Sequence, residues 1–318
     1  MADKSWPLPW LEVAGDKGGA LKWLEYALYR AFVGVGSHLP TPGRKLMSLT
    51  LGTLARALDR RRSRAAAEFI AQAYPDLPPE RRHALVLAAW RHLIELVLED
   101  ARFNALVAGP DIQSHFEIEL SERAKAMVAS GRGGLVVVPH VGMWEALPAI
   151  SPSLGFHPAY VVSRPPRNRF LARHAQRTRE ERGYRLIPRH GAIEHLMAAV
   201  EGGGFVGLML DQRARGKTVV APFFGRPANC ERSIAVLVRR LKRPVLFAAC
   251  YRTAQPYRYK AVFDTVIEPE EFSRSSPEEI AARLNVEMER LIRRAPEQYF
   301  WLHDRYRKAP LAGDGEGS

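Results

Sequence analysis

The chain has 318 residues, of which 47% are hydrophobic, so it is long enough to bury the core of one large domain or two modest ones. Its formal net charge of +13 at pH 7 indicates an anionic partner, such as phospholipid head groups, nucleic acid or an acidic protein; a solvated basic face without a specific role is the alternative. Cys230 and Cys250 form no C-x-x-C motif, which argues against a disulfide scaffold or a zinc site. We expect both to be buried free thiols.

The first third of the chain shows the periodicity of helices. Pro40 and Pro42 end the first predicted helix, and Pro79 opens the fourth. The predicted helices cover residues 21–39, 46–58, 64–73 and 79–102. No run reaches the roughly 18 uncharged apolar residues of a membrane-spanning helix. The first helix carries an apolar face with aromatic residues beside it, a pattern that fits either a helix lying in a membrane interface or one packed on a core.

Strands and helices alternate from about Ile112 onwards. Short apolar runs predict buried strands at residues 135–138, 159–162, 185–187, 205–210, 219–223 and 245–250, and an alternating run predicts an edge strand at 257–263. Helical patterns cover residues 143–150, 170–181, 193–200, 233–241 and 277–294. This alternation predicts an α/β fold, with a mostly parallel central sheet flanked by helices, after an N-terminal helical region.

These patterns divide the chain into four parts. We predict an N-terminal extension (residues 1–20), a helical region that associates with membranes (21–110), an α/β core (111–308) and a disordered tail (309–318).

The best candidate for a catalytic group is His140, which follows a predicted buried strand and Pro139. Open α/β sheets bind ligands at this carboxyl edge. If a helix begins near Gly142, His140 lies on the turn and Glu145 on the first helical turn, where its carboxylate would fix the tautomer of the imidazole. The helix N-terminus would then offer free N–H groups to a developing oxyanion. The H-x-x-x-x-E spacing alone is weak, since an isolated histidine near an apolar run is more often structural.

Further segments in the same order strengthen this hypothesis. They are Ser163-Arg164-Pro165 with Asn168, Leu210-Asp211-Gln212, the run from Ala221 to Ala228 (APFFGRPA) and the run from Pro296 to His303 (PEQYFWLH). With His140 to Glu145, they make the chain resemble the late lipid A acyltransferases, the lauroyl and myristoyl transferases of Gram-negative bacteria, over about residues 20–308. These enzymes belong to the lysophospholipid acyltransferase superfamily.

The resemblance implies a glycerol-phosphate-acyltransferase-like fold and a direct transfer reaction. An acyl chain would pass from acyl carrier protein or coenzyme A to a hydroxyl of a lipid A precursor or related glycolipid. His140 would deprotonate this hydroxyl and Glu145 would orient the imidazole, with no cysteine nucleophile, metal or cofactor. The resemblance also implies a peripheral or monotopic enzyme at the cytoplasmic face of a bacterial inner membrane.

The other segments supply candidate substrate-binding residues. Arg164 could hold a phosphate of the acceptor or of the donor arm. Asn168 either joins the site or caps the helix that follows it. The resemblance makes Asp211 and Gln212 part of the active-site rim, although a plain turn fits them equally.

A second group of candidates surrounds a predicted tight turn. Phe223, Phe224 and Gly225 would form an apolar wall for an acyl chain or thioester arm. Two phenylalanines in such a position are as often ordinary core residues.

Other functions remain open at this stage. The same His140–Glu145 pair would serve an acyltransferase for another membrane lipid, such as a phosphatidylinositol mannoside or an aminolipid. A nucleic-acid-binding protein is suggested by charge alone, but the sequence carries no helix-turn-helix, RNP or zinc signature. A binding-only relative is disfavoured because both motif residues are present.

Overall fold

The structure, a computed structural model, describes residues 18–107, 109, 111–188, 191–214, 216–307 and 309, without the side chains of residues 100 and 101. Most of the predicted N-terminal extension and almost all of the predicted disordered tail therefore lie outside the described residues.

Four helices form the N-terminal region, as the periodicity predicted. They are α1 (Ala20–His38), α2 (Thr41–Leu58), α3 (Arg60–Ala73) and α4 (Pro79–Val107). Helix α3 begins four residues before the predicted start because the carboxylate of Asp59 accepts a hydrogen bond from the backbone N–H of Arg62 and caps it. None of the helices in the described part of the chain is long and apolar enough to cross a membrane.

The rest of the chain builds an α/β unit. Its strands are β1 (Phe116–Leu120), β2 (Gly134–Val137), β3 (Ala159–Ser163), β4 (Arg185–Pro188), β5 (Phe205–Leu208), β6 (Thr218–Phe223), β7 (Arg226–Glu231), β8 (Val245–Arg252) and β9 (Tyr259–Ile267). Its helices are α5 (Glu122–Ala129), α6 (Leu147–Ile150), α7 (Arg169–Glu181), α8 (Ala192–Glu201), α9 (Arg232–Leu241) and α10 (Pro277–Arg293).

Seven of the described strands form one sheet in the order β1-β9-β8-β2-β5-β3-β4. Five neighbouring strands, from β8 to β4, run parallel, whereas β9 and β1 run the opposite way. The mostly parallel sheet, the flanking helices and the helical N-terminal region confirm the predicted fold class. Both faces of the sheet are covered: Leu135 and Val137 of β2 pack into one layer, and Val136 and Val138 pack into the other. This double burial explains the continuous apolar run.

Two strand predictions were wrong. Strand β9 is not at the edge, because it pairs with β8 on one side and with β1 on the other. The outer strand β1 was not predicted, because it is only five residues long and two of them are glutamates. The predicted strand at 219–223 lies outside the main sheet, in an antiparallel hairpin of β6 and β7 that packs against α10.

Candidate active site

His140 and Asp211 meet because their strands are neighbours in register. Val137 of β2 pairs with Leu208 of β5. His140 lies three positions after Val137, and Asp211 lies three positions after Leu208. Parallel strands end at the same edge of a sheet, so equal offsets bring the two side chains together. The sequence placed both residues at strand ends, but it did not show that β2 and β5 are adjacent.

Asp211 holds the imidazole of His140 through both carboxylate oxygens. His140 Nδ1 lies 2.6 Å from Asp211 Oδ1, and the His140 backbone N–H donates to Oδ2 over 2.8 Å. The Tyr299 hydroxyl also hydrogen-bonds Asp211. Although burial opposes ionisation, these contacts with His140 lower the pKa of Asp211 below its usual value. A carboxylate at Nδ1 favours the tautomer with the proton on Nδ1 and a lone pair on Nε2.

The other ring nitrogen of His140 contacts a polar side chain, and two aromatic rings lie near the imidazole. Gln212 Nε2 lies 3.2 Å from His140 Nε2, consistent with the amide donating to the ring lone pair. The rings of Trp144 and Phe300 lie 5.2 Å and 6.2 Å from the imidazole, and the Phe300 N–H donates to the His140 carbonyl over 3.0 Å. The side chain of His140 remains 15% exposed.

Glu145 does not occupy the position predicted for it beside His140. Its carboxylate instead accepts hydrogen bonds from Arg179 at 2.6 and 3.2 Å and from the Tyr184 hydroxyl at 3.0 Å, with Arg182 at 3.7 Å. Burial opposes its charge, but Arg179, Arg182 and Tyr184 together lower the pKa of Glu145 to about 2. The prediction that Glu145 orients the imidazole is therefore corrected: Asp211 makes that contact.

The local backbone explains the different direction of Glu145. The predicted α-helix from Met143 is a 3-10 turn (Trp144–Ala146) followed by the short α6. The N–H groups of Gly142 and Met143, predicted to be free for an oxyanion, donate to the carbonyls of Gln298 and Cys250. Gly142 has a φ of 62° and lies so close to Cys250 that an added Cβ would be 2.0 Å from its carbonyl oxygen.

Arg164 and Asn168 follow β3 but differ in their surroundings. Arg164 is exposed at the carboxyl edge of the sheet, where a phosphate could reach it. Asn168 is buried and already bonded: its Oδ1 accepts from the N–H groups of Phe170 and Leu171, and its Nδ2 donates to Lys22 and Glu25 of α1. Asn168 thus caps α7 and fastens α1 to it, which replaces the predicted substrate contact.

Phe223, Phe224 and Gly225 form the predicted tight turn but not the predicted wall. Gly225 has a φ of 74°, which suits glycine. Both phenylalanines are buried, and their rings pack on Phe69 of α3 at 6.0 and 5.9 Å. They are core residues because the β6–β7 hairpin folds onto α3 and α10 and not over the sheet edge.

Two apolar cavities instead adjoin Trp144 and Glu145. One lies under the 3-10 turn among residues of β2, β3 and β5, including Val136, Tyr160 and Phe205. The other, of about 350 Å³, lies between α1, α4 and α7. Glu145, Arg179, Arg182 and Tyr184 thus form part of the boundary between two cavities of about 70 and 350 Å³, of which the larger is within the size range of ligand sites.

Sequence reasoning missed several residues of this site. The Glu145 partners Arg179, Arg182 and Tyr184 follow it by more than thirty positions, and only the β3–α7–β4 connection returns them to it. His303 is also close: its Nε2 accepts from the Arg213 N–H over 3.0 Å, and burial lowers its pKa to about 4, so it is neutral at pH 7. The described residues contain no group of three or more His, Cys, Asp or Glu side chains placed to hold a metal ion.

Comparison with known proteins identifies the family of the chain. The family model for the bacterial lipid A biosynthesis acyltransferases matches residues 19–308. The lipid A biosynthesis palmitoleoyltransferase of Escherichia coli (strain K12) is 24% identical over 284 residues, which cover 88% of this chain and 89% of that protein. A lipid A biosynthesis acyltransferase of Shigella flexneri matches with the same identity and coverage. The chain therefore belongs to the bacterial lipid A biosynthesis acyltransferase family and is an acyltransferase.

Proposed function

We propose that this acyltransferase moves a fatty acyl chain from a thioester, carried by acyl carrier protein or coenzyme A, to a hydroxyl of a lipid A precursor, with His140 as general base. The observation that carries the proposal is the His140–Asp211 pair, in which Asp211 holds Nδ1 and Nε2 contacts only the side-chain amide of Gln212 among the hydrogen-bond partners described above. Both relatives are named as lipid A biosynthesis enzymes, which supports this acceptor.

The proposed reaction needs one proton acceptor and no enzyme nucleophile. His140 Nε2 takes the proton of the acceptor hydroxyl while the hydroxyl oxygen attacks the thioester carbonyl carbon. The C–S bond then breaks, and the imidazolium returns the proton to the departing thiolate. Asp211 stabilises the imidazolium formed between these steps, because its negative charge lies 2.6 Å from Nδ1. Gln212 leaves Nε2 when the hydroxyl arrives.

The neighbouring cavities supply space for the chains of donor and acceptor. We propose that the cavity under Trp144 takes the end of one acyl chain and that the cavity between α1, α4 and α7 takes hydrocarbon of the other substrate. Glu145, held by Arg179, Arg182 and Tyr184, would keep the shared boundary rigid. In this proposal Glu145 is a positioning residue and not the partner of the base.

The exposed side chains of the first two helices suit contact with a membrane surface. Of the large hydrophobic side chains that the described residues expose, most lie on α1 and α2: Leu21, Trp23, Leu24, Leu28, Val35, Leu46, Leu49, Leu54 and Leu58. Arginines at positions 60–62 and 64 follow directly and suit anionic head groups. We propose that residues 21–110 include the membrane-contacting region and residues 111–308 the catalytic core, at the cytoplasmic face of a bacterial inner membrane.

The reaction is tested by mass spectrometry of acyl transfer from acyl carrier protein and coenzyme A thioesters to a panel of lipids that includes a lipid A precursor. We expect transfer to the precursor, and a loss of about 10²–10⁴-fold in His140→Ala, the usual contribution of a general base. His303→Ala is the matched control, because His303 is half-buried near the site but lies on no proton path in this mechanism. Undiminished turnover in His140→Ala, with thermal unfolding unchanged, would contradict the proposal.

The membrane surface is tested by sedimentation with anionic vesicles at low and high salt. We expect Leu24→Glu/Leu28→Glu to release the protein, because charged side chains resist burial among acyl chains. Val286→Glu is the control, since Val286 is 50% exposed on α10, outside α1 and α2. Equal sedimentation of the two variants would show that α1 does not contact the membrane.

A further inference from the structure

A separate polar cavity lies between α2, α4 and the loop that joins β8 to β9. Its volume is about 300 Å³, within the range of small-molecule sites. It shares none of the groups that contact His140 directly, although His92 on its wall lies 6.2 Å from the ring of Trp144. We call it the α2–α4 cavity, and the acyl-transfer mechanism above does not use it.

Many polar atoms on its wall have no protein hydrogen-bond partner among the described residues. They are Arg44 Nε, Arg91 Nε, one ring nitrogen of His92, Glu99 Oε2 and the hydroxyl of Tyr259. Arg44, His92 and Tyr259 are only 7%, 2% and 1% exposed. Leaving buried polar atoms unpaired costs free energy, so such a concentration at one cavity points to a ligand that bonds them.

The charges on the wall select the class of ligand. The residues lining the cavity include more cations (Arg44, Lys45, Arg91, Arg252 and Arg258) than carboxylates (Glu95, Glu99 and Glu297). Glu95 is already satisfied, because its oxygens bind Arg252 at 2.5 Å and the Ser48 hydroxyl at 3.0 Å. Glu99 lies 3.8 Å from Arg252 Nη1, and its charge also acts on Arg44. Water could hydrogen-bond single atoms, but it would not offset the excess of positive charge that remains on the wall.

Tyr257 gives the cavity a built wall. Two guanidinium groups lie against its ring, Arg44 at 4.4 Å and Arg102 at 4.7 Å from the ring centre. Its φ is 56°, a left-handed conformation that is unfavourable for a bulky side chain, and His115 Nδ1 lies 3.0 Å from its carbonyl oxygen. Strained residues of this kind persist where their surroundings fix them, commonly at ligand clamps.

We propose that the α2–α4 cavity binds a phosphate-bearing ligand, with Arg44 and Arg91 as its charged donors and the Tyr257 hydroxyl as a neutral one. A phosphate oxygen matches the fork of donors that a guanidinium presents. The phosphate could belong to a lipid head group, because Leu46 and Leu49 are exposed on α2 beside Arg44, or to a small soluble ligand. Neither source requires the acyl-transfer reaction, so this proposal stands apart from the proposed function.

The first test is titration of the whole protein with inorganic phosphate, balanced with chloride to constant ionic strength, by calorimetry and thermal unfolding. We expect saturable binding and a rise in Tm. Arg44→Gln and Arg91→Gln should each weaken binding about tenfold or more, because a charge-assisted hydrogen bond is lost. Arg81→Gln is the matched control, since Arg81 is exposed on the same helix as Arg91 and does not line the cavity.

A second variant protects the test against a folding defect. Tyr257→Phe keeps the ring beside the two arginines and removes only the hydroxyl, which contacts Arg102, so we expect unfolding in chloride close to that of the wild type and weaker phosphate binding. The proposal is overturned if phosphate stabilises the protein no more than chloride does, or if the cavity variants bind it as tightly as Arg81→Gln.

Titration with a soluble short-chain phosphatidic acid distinguishes a lipid head group from a small soluble ligand as the source of the phosphate. Tighter binding of this lipid than of inorganic phosphate, lost in Arg91→Gln, assigns the cavity to a lipid head group. Equal binding of the two assigns it to the phosphate group alone and favours a soluble ligand. These measurements read binding, so a negative result leaves the acyl-transfer proposal intact.

Discussion

Two carboxylates near the sheet edge, Asp211 and Glu145, have different partners although both have lowered pKa values. Asp211 bonds His140 from a strand neighbour, and its charge lies against a group that can gain a proton. Glu145 is surrounded by Arg179, Arg182 and Tyr184, whose positive charges it neutralises. The comparison teaches that a carboxylate close to a catalytic histidine in sequence need not be the one that serves it, because the partner is chosen by strand adjacency.

The largest effect within this comparison should come from Asp211→Asn. The amide cannot accept both hydrogen bonds from His140 or balance an imidazolium, so we expect kcat to fall about 10²-fold or more. Steady-state acyl transfer measures this loss, and circular dichroism checks the fold. A kcat within twofold of wild type would show that Asp211 is dispensable and would restore Glu145 as the candidate partner.

Glu145→Gln should act mainly on stability. The change leaves Arg179 and Arg182 without their counter-charge, and we expect the free energy of unfolding at pH 7 to fall by about 2–3 kcal/mol. The side chain of Glu145 is 26% exposed, which keeps the loss below that of a fully buried pair. We expect kcat to fall about tenfold at most, a smaller loss than in Asp211→Asn. Glu181→Gln, which breaks an exposed pair with Arg177 on the same α7, is the control.

The pH dependence of this stability gives a second measurement. The pKa of Glu145 is about 2 in the folded chain, below the value of about 4.3 for an unperturbed glutamate. Its stabilisation is therefore complete above pH ~4.3 and is lost as the pH falls towards 2. Chemical denaturation at pH 7, 4 and 3 should show the wild-type advantage over Glu145→Gln shrinking. A constant difference across this range would mean that the charge of Glu145 is not what stabilises the fold.

Asn168→Ala should lower the free energy of unfolding without changing the rate of acyl transfer. It removes the cap of α7 and the bonds to Lys22 and Glu25 of α1, so we expect a loss of about 1–2 kcal/mol in the free energy of unfolding. Acyl transfer per folded molecule should stay near the wild-type value. A selective rise in KM with unchanged stability would instead return Asn168 to the substrate site.

The smallest effect should come from Gln212→Ala. The Gln212 amide bonds the lone pair of His140 Nε2, so its loss should change kcat/KM by less than about tenfold, the scale of one neutral hydrogen bond. Steady-state acyl transfer by the variant measures this change. A loss comparable with that of Asp211→Asn would give Gln212 a direct part in the reaction.

Local patterns predicted the four N-terminal helices and the last helix, because an apolar periodicity and its caps act over a few residues, but they missed α5 and predicted one α-helix where the 3-10 turn and α6 lie. The same patterns failed for β1 and β9, whose burial depends on which strands lie beside them. They also failed for Phe223 and Phe224, since an apolar pair looks the same in a core and in a substrate wall.

The sequence by itself determined the α/β class, the position of His140 after a buried strand and the family resemblance, because each follows from local order along the chain. Only the tertiary structure decided that Asp211 holds His140 and that arginines hold Glu145. The physical reason is that strand pairing, not sequence distance, sets which side chains share an edge. The register of Val137 with Leu208 brings residue 211 to residue 140, and the 3-10 turn at Trp144 carries Glu145 away towards α7.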